Sequence, residues 1–309
     1  MKVYHTDQFE VPLPERHTFP MGKYARLRKR VVESALVAPQ DLLVPHAATD
    51  EELLRVHAPD YLRRVGEGTL DAEEVRAIGL PWSVALVERS RRSCGATVEA
   101  CRAALADGVA VNLAGGTHHA SRGRGAGYCV FNDAAVAARA MQAENRVLRV
   151  IILDADVHQG DGTATVFAAD PTVFTFSIHG EKNYPLHKPP SDLDVELTDG
   201  TTDAVYLEAL DRGVRQALER AGAGLAIYLA GADPFEGDRL GRLAVTKGGL
   251  AERDRLVFGL CRAAGLPVAV AMAGGYARDI EDTVDIHLQT VQEAARRAWS
   301  TDASVSGRP

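Results

Sequence analysis

The chain predicts an α/β fold: a single-domain open parallel sheet flanked by helices on both faces. Three observations carry that expectation. Short apolar runs alternate with longer amphipathic segments, the pattern of repeated strand–helix units. The 309 residues are 46% apolar and 25% charged, enough for one sizeable core. Polar residues capable of chemistry recur just after the apolar runs instead of being scattered.

In chain order, strands are expected at 109–114, 148–154, 172–178, 225–230 and 267–273. Helices are expected at roughly 83–106, 132–144, 202–221 and 248–264. No Pro/Ser-rich linker or repeat interrupts 1–298, which is read as one domain, and the polar end, 299–309, is expected to be a disordered tail.

The charge balance narrows the function classes. With 35 basic against 42 acidic residues, a formal charge of −7, there is no electrostatic footprint for nucleic acid. The short basic run Arg26-Leu27-Arg28-Lys29-Arg30 reads as a solvated helix face. Cys94, Cys101, Cys129 and Cys261 show no CxxC pairing, which argues against a disulfide framework or a thiolate zinc site and for a reducing cytoplasm. There is no charged-then-apolar leader and no apolar run of about 18 residues, so neither export nor membrane spanning is expected.

The segment 151–162 concentrates the chemistry. An apolar run ends in Asp154, Asp156 and His158 at alternate positions, and side chains two apart on a strand point the same way. Buried carboxylates are costly unless compensated, and a divalent metal is the natural compensator. Asp156 and His158, with Asp233 after a second strand, form the best ligand triad. Two oxygens and one nitrogen leave coordination positions open, as at a catalytic Zn²⁺, and the two hard carboxylates make Fe²⁺ a competitor. The competing reading is that both aspartates only cap turns.

Other strand exits add to this. His118-His119 follows Gly115-Gly116, whose lack of a Cβ permits close approach and unusual dihedrals. Adjacent histidines beside a metal favour proton transfer. Each needs a carboxylate on its far ring nitrogen, and Asp154 and Asp161 are available. Tyr276, after Gly274-Gly275, could donate to a developing oxyanion. Gly127-Tyr128 and Tyr184-Pro185 could line a narrow channel for an aliphatic chain, or pack as ordinary loops. Ser177-Ile178-His179 ends a fifth strand. Open parallel sheets bind ligands outside the carboxyl ends of their strands, so five such exits imply one cleft.

These motifs resemble the zinc-dependent histone deacetylases of the arginase/deacetylase superfamily. The resemblance rests on Gly-Gly-Thr-His-His-Ala (115–120), Gly-Tyr-Cys-Val-Phe-Asn-Asp (127–133), Asp-Ala-Asp-Val-His-Gln-Gly-Asp-Gly (154–162), Ala-Gly-Ala-Asp (230–233) and Gly-Gly-Tyr (274–276). Pro14-Glu15 leading to Phe19-Pro20, Leu80-Pro81-Trp82, Gln159 in place of a second histidine, and the run from Glu236 to Gly241 resemble the class IV branch and its bacterial relatives.

The resemblance implies an arginase-like fold and a metal-dependent amidohydrolase that removes acetyl or longer acyl groups from lysine side chains. Asp156, His158 and Asp233 would hold the metal, and His119 would be general base and then acid, oriented by Asp161. His118 would pair with Asp154, and Tyr276 would polarise the substrate carbonyl. Gly127, Tyr128, Tyr184, Gly274 and Gly275 would line the acyl-lysine tunnel. Structural K⁺ or Na⁺ would sit at Asp154, Asp156, His158, Ser177 and Ile178, with a second site partly at Phe167, Asp170 and Val173. Tyr128 and Tyr184 stand where many relatives carry phenylalanine, and Pro234-Phe235 replaces a Ser/Thr-bearing version.

The expected partner is an acyl-lysine protein or peptide, or a small acylated amine such as a polyamine; oligomeric state is left open. Two other classes compete. A binuclear manganese ureohydrolase needs a second carboxylate where this chain has Phe235, and a silent acyl-lysine binding module would tolerate loss of His118, His119, Asp161 or Tyr276, all present.

Overall fold

The structure is a computed structural model and describes residues 1–297. The end of the expected domain at 298 and the tail 299–309 lie outside the described residues. Eight strands form one sheet: β1 (Val3–Tyr4), β2 (Leu42–Leu43), β3 (Val109–Asn112), β4 (Val150–Asp154), β5 (Val173–Gly180), β6 (Leu193–Leu197), β7 (Leu225–Leu229) and β8 (Val268–Ala271). Their order is β2-β1-β3-β8-β7-β4-β5-β6, and every pairing is parallel.

The five expected strands are the five contiguous central ones, β3-β8-β7-β4-β5. All five residues of β4 are buried, as a strand covered on both faces requires. Ile151 and Leu153 enter one hydrophobic layer, while Val150 and Ile152 enter the other. Each such aliphatic side chain contributes about 1.5–3 kcal/mol by leaving water. The outer strands β2, β1 and β6 lie beyond the expected set. Two-residue strands carry no readable period, and β6 alternates apolar with acidic residues.

The four expected helices are α5 (Val84–Asp107), α6 (Asp133–Ala143), α8 (Asp203–Ala221) and α9 (Lys247–Ala263). The others are α1 (Lys23–Glu33), α2 (Asp50–Leu54), α3 (Pro59–Glu67), α4 (Ala72–Ile78), α7 (Asp161–Phe167) and α10 (Ile280–Arg297). Side-chain caps set several starts: Ser83 Oγ accepts from Leu86 N (3.1 Å), and Thr246 Oγ1 from Gly249 N (3.0 Å). Helices α1, α8, α9 and α10 cover one face; α5 and α6, with α2 and α3, cover the other.

The basic run lies on α1 and is spent on carboxylates. Arg26 pairs with Glu281, Arg28 with Asp7 at 2.9 Å, Lys29 with Glu33 at 3.7 Å and Arg30 with Asp285 at 3.0 Å. The four cysteines are buried and free. Among the described residues no helix is long and apolar enough to cross a membrane.

Candidate active site and metal centre

Strand order explains where the site forms. From β4 the chain passes through α7 to β5, and from β7 it passes through α9 to β8, on the other side. Phe167 of α7 packs into one hydrophobic layer and Leu250 and Val257 of α9 into the other. The chain therefore leaves two adjacent strands in opposite directions, which opens a crevice at their carboxyl ends. Asp156 and His158 stand after β4, and Asp233 after β7.

These three buried residues bring ligand atoms within 4.8 Å of one another. His158 Nδ1 lies 3.0 Å from Asp156 Oδ1 and 3.2 Å from Asp233 Oδ2. Donors about 2.0–2.1 Å from one tetrahedral Zn²⁺ stand about 3.3 Å apart, so the spacing suits a single divalent ion. Their other contacts differ: Asp156 Oδ1 caps its own turn by accepting His158 N (2.9 Å), whereas Asp233 Oδ1 accepts Val157 N (3.0 Å) from the neighbouring strand exit. For Asp156, turn capping and ligation are thus compatible; Asp233 caps no turn of its own. Asp233 Oδ2 is buried without a hydrogen bond, an orphaned acceptor that a cation would satisfy. Gly274 N donates to Asp156 Oδ2 at 2.8 Å, and a Cβ at Gly274 would strike Asp233 Oδ2.

The electrostatics carry the same message. Burial pulls His158 down, but the hydrogen bond to Asp156 and the neighbouring carboxylates of Asp233 and Asp156 raise it to about 10. Burial first, then the charge of Asp156, pushes Asp233 up to about 7. Two buried carboxylates side by side concentrate negative charge that a cation would offset. The triad is consistent with a divalent metal.

His118 and His119 sit on the loop after β3. His118 Nδ1 lies 2.7 Å from Asp154 Oδ2, and His119 Nδ1 lies 2.6 Å from Asp161 Oδ1 at the start of α7. Burial would lower His118, yet Asp154 and Asp156 raise it to about 9; burial and then the His118 charge lower His119 to about 4. With Nδ1 held by a carboxylate, His119 presents Nε2 as the basic nitrogen.

Residues without an assigned role in the sequence reading hold this loop. Asp133 Oδ2 accepts Gly116 N (3.0 Å), and its Oδ1 accepts Thr117 N (2.7 Å). Gly115 and Gly116 have φ of +81° and +74°, a region costly for other residues. Asn132 Nδ2 donates to Ala120 O at 3.0 Å, and its backbone N–H donates to His57 Nε2 at 3.0 Å. Asn132 and Asp133 occur in a quoted motif, but His57 gave no sequence signal: a lone loop histidine is ordinarily structural.

Tyr276 faces the same crevice, and no hydrogen bond engages its hydroxyl among the described residues. Burial, then the charges of Asp233 and Asp156, keep that phenol protonated well above its usual range. A second unforeseen residue is Lys23. It is 3% exposed, its Nζ donates to Gly275 O at 3.2 Å, and it lies 5.2 Å from the Tyr276 ring centroid. A single lysine at a helix start reads as solvated; only packing against Phe19 and Tyr24 buries it.

A pocket of about 740 Å³ opens outward, lined by His119, Gly127, Tyr128, His158, Tyr184 and Tyr276, among others. The His119 and Tyr184 rings meet edge-on at 4.9 Å, and Tyr128 lies 5.8 Å from Tyr276. Gly274 lines a smaller cavity beneath, of about 50 Å³; Gly275 lines neither cavity, its carbonyl accepting instead from Lys23. Asp154 and Ser177 are register partners on β4 and β5, with Ile178 next to Ser177. At the second monovalent set, Arg139 pairs with Asp170 and lies over the Phe167 ring, while Val173 N donates to Asp170 O at 3.4 Å.

Residues 17–291 match the histone deacetylase domain. An uncharacterised protein of Picosynechococcus sp. is 45% identical over 297 residues, 96% of this chain and 98% of that protein. Histone deacetylase 2 of Arabidopsis thaliana is 31% identical over 283 residues, 87% of this chain and 73% of that protein. The acetoin utilization protein AcuC of Bacillus subtilis is 32% identical over 260 residues, 76% and 67% of the respective chains. Among solved structures, the histone deacetylase homologue from Aquifex aeolicus superposes with a TM-score of 0.82 at 23% identity, covering 96% of this chain and 84% of its own. That likeness shows the shared fold.

Proposed function

Because the chain belongs to the histone deacetylase domain family, we propose that it is a metal-dependent lysine deacylase, hydrolysing acetyl or longer acyl amides, and that its affinity is with class IV. The observation that carries this reading is the convergence of the Asp156–His158–Asp233 triad, the His119–Asp161 pair and the Tyr276 phenol on one pocket. Asp156, His158 and Asp233 would hold Zn²⁺ or Fe²⁺, which when bound supplies Lewis acidity toward the amide carbonyl and lowers the pKa of a water.

The chain's own residues do the rest. The aromatic walls of Tyr128 and Tyr184 exclude water around an aliphatic stem and orient it. His119, its Nδ1 fixed by Asp161, accepts the proton of the attacking water at Nε2 and returns it to the leaving amine. His118, held by Asp154, adds positive charge beside developing negative charge. Tyr276 donates its hydroxyl hydrogen to the oxyanion, which its protonated state permits. Structural K⁺ or Na⁺ at Asp154, Asp156, His158, Ser177 and Ile178, and more weakly at Phe167, Asp170 and Val173, belongs to the same proposal. Asp170, already paired with Arg139, has less to offer a cation.

A ureohydrolase reading would need a second metal carboxylate near Phe235, whose side chain is buried in the apolar core. The decisive experiment is a panel of acyl-lysine peptides from acetyl to myristoyl, assayed with and without chelator. Chelator-sensitive turnover is expected; chelator-insensitive turnover, or none at any chain length, would defeat the proposal.

A further inference from the structure

The pocket mouth runs against the charge of the whole molecule. The chain carries a formal charge of −7, yet the pocket is lined by Arg76, Arg124, Lys182, Arg239 and Arg242 and, among the described residues, by no Asp or Glu. These cations come from separate places: α4, the loop after β3, the segment after β5 and the loop after β7.

Their engagements differ. Arg242 Nε donates to Asp199 at 3.0 Å, and Lys182 lies 3.5 Å from Glu181, so both are partly neutralised. Arg239 donates to the backbone oxygens of Tyr276 (2.9 Å) and Thr18 (3.0 Å), which leaves its charge uncompensated. Arg76 and Arg124 are exposed and make no ion pair among the described residues. Converging like charges repel one another, and a cleft walled by low-dielectric protein focuses their field outward. Guanidinium groups also match carboxylates in a planar, two-point fashion.

We propose that this mouth selects acyl-lysine peptides whose flanking residues are acidic, with Arg76 and Arg124 as the residues that determine the preference. The proposal rests on the deacylase reading for the acyl-lysine itself, but the charge preference stands on the mouth alone. The same field disfavours acylated polyamines, whose remaining amines are cationic.

The test uses acetyl-lysine peptides with Asp/Glu, neutral or Lys/Arg neighbours. Binding is read by fluorescence anisotropy and turnover as kcat/KM, at low and high salt. Two exposed ion pairs predict about tenfold tighter binding of the acidic than the neutral peptide at low ionic strength, with the basic peptide weakest. Added salt shrinks the difference as the Debye length falls. The R76E/R124E variant should reverse the ranking, and R76Q/R124Q should shrink it to the remainder left by Arg239. Equal binding of the three peptides, or an acidic advantage that survives R76E/R124E, overturns the proposal. Nε-acetyl-lysine with a free carboxylate and acetylspermidine form a small-molecule pair, and discrimination confined to that pair overturns the peptide assignment. If the binding order holds while no peptide is hydrolysed, the deacylase reading fails and the charge preference stands.

Discussion

Asp238 Oδ2 accepts the backbone N–H of Tyr276 at 2.6 Å, while its Oδ1 accepts Leu240 N at 2.7 Å and Gly241 N at 3.0 Å. One buried carboxylate thus ties the loop after β7 to the loop that carries the phenol. Asp238→Ala would strand three N–H groups, costing about 2 kcal/mol or more, and would lower turnover by loosening Tyr276. Tyr276→Phe should lower turnover about 10²-fold without lowering the melting temperature, since its hydroxyl holds nothing in the fold. Thermal melts beside steady-state kinetics separate the two, and an unchanged melt for Asp238→Ala would reject the positioning role.

His119→Ala is expected to cut turnover by at least about 10²-fold, the range of a lost general base. Asp161→Asn should cost less, because the imidazole stays in place but loses its anionic partner. Single-turnover rates on the preferred acyl peptide provide the measurement. Retained activity in His119→Ala would move the base to His118.

Metal content is expected to be one divalent ion per chain. Titrating Zn²⁺ into chelated protein should raise the unfolding free energy by about 2.7 kcal/mol when the free ion is a hundredfold above its dissociation constant, read as a shift of the urea midpoint. Gly274→Ala should abolish that gain, because the added methyl meets Asp233 Oδ2. Two bound manganese ions per chain would instead favour the binuclear alternative.

Acid should destabilise the protein partly through His57. Burial lowers it to about 4 from an ordinary 6.5, and its Nε2 accepts Asn132 N–H only when neutral. The unfolded state therefore binds the proton first, so stability falls as pH drops from 6.5 toward 4 and is level above that window. The full effect is up to about 3 kcal/mol. Urea unfolding of wild type and His57→Gln at pH 7 and pH 4.5 tests this: the variant should lose less on acidification. Equal losses would show that His57 does not titrate in this window.

Much of this was legible in the chain. The five central strands were found within two residues of their observed limits, because strands buried on both faces are continuous apolar runs. Two-residue strands and the five- to seven-residue helices α2, α4 and α7 are too short to show a period, whereas the 18-residue α10 was missed despite its length. The candidate donors were also visible, since Asp156 and His158 are close in sequence and their alternation is a local property. Asp233, distant in sequence, was recognisable as another strand exit and through the Ala-Gly-Ala-Asp motif at 230–233.

What only the tertiary structure decided is adjacency. Val157 and Asp233 hydrogen-bond across 76 residues because β7 inserts beside β4, an order set by packing and crossover direction rather than by any local pattern. The same packing decides that Asp154 faces His118 and Asp161 faces His119, buries Lys23 against Tyr276, and gathers cations from four segments around one mouth. The sequence by itself determined which side chains are chemically able, through periodicity and residue type. Which of them meet depends on long-range contacts, and those exist only once the sheet has formed.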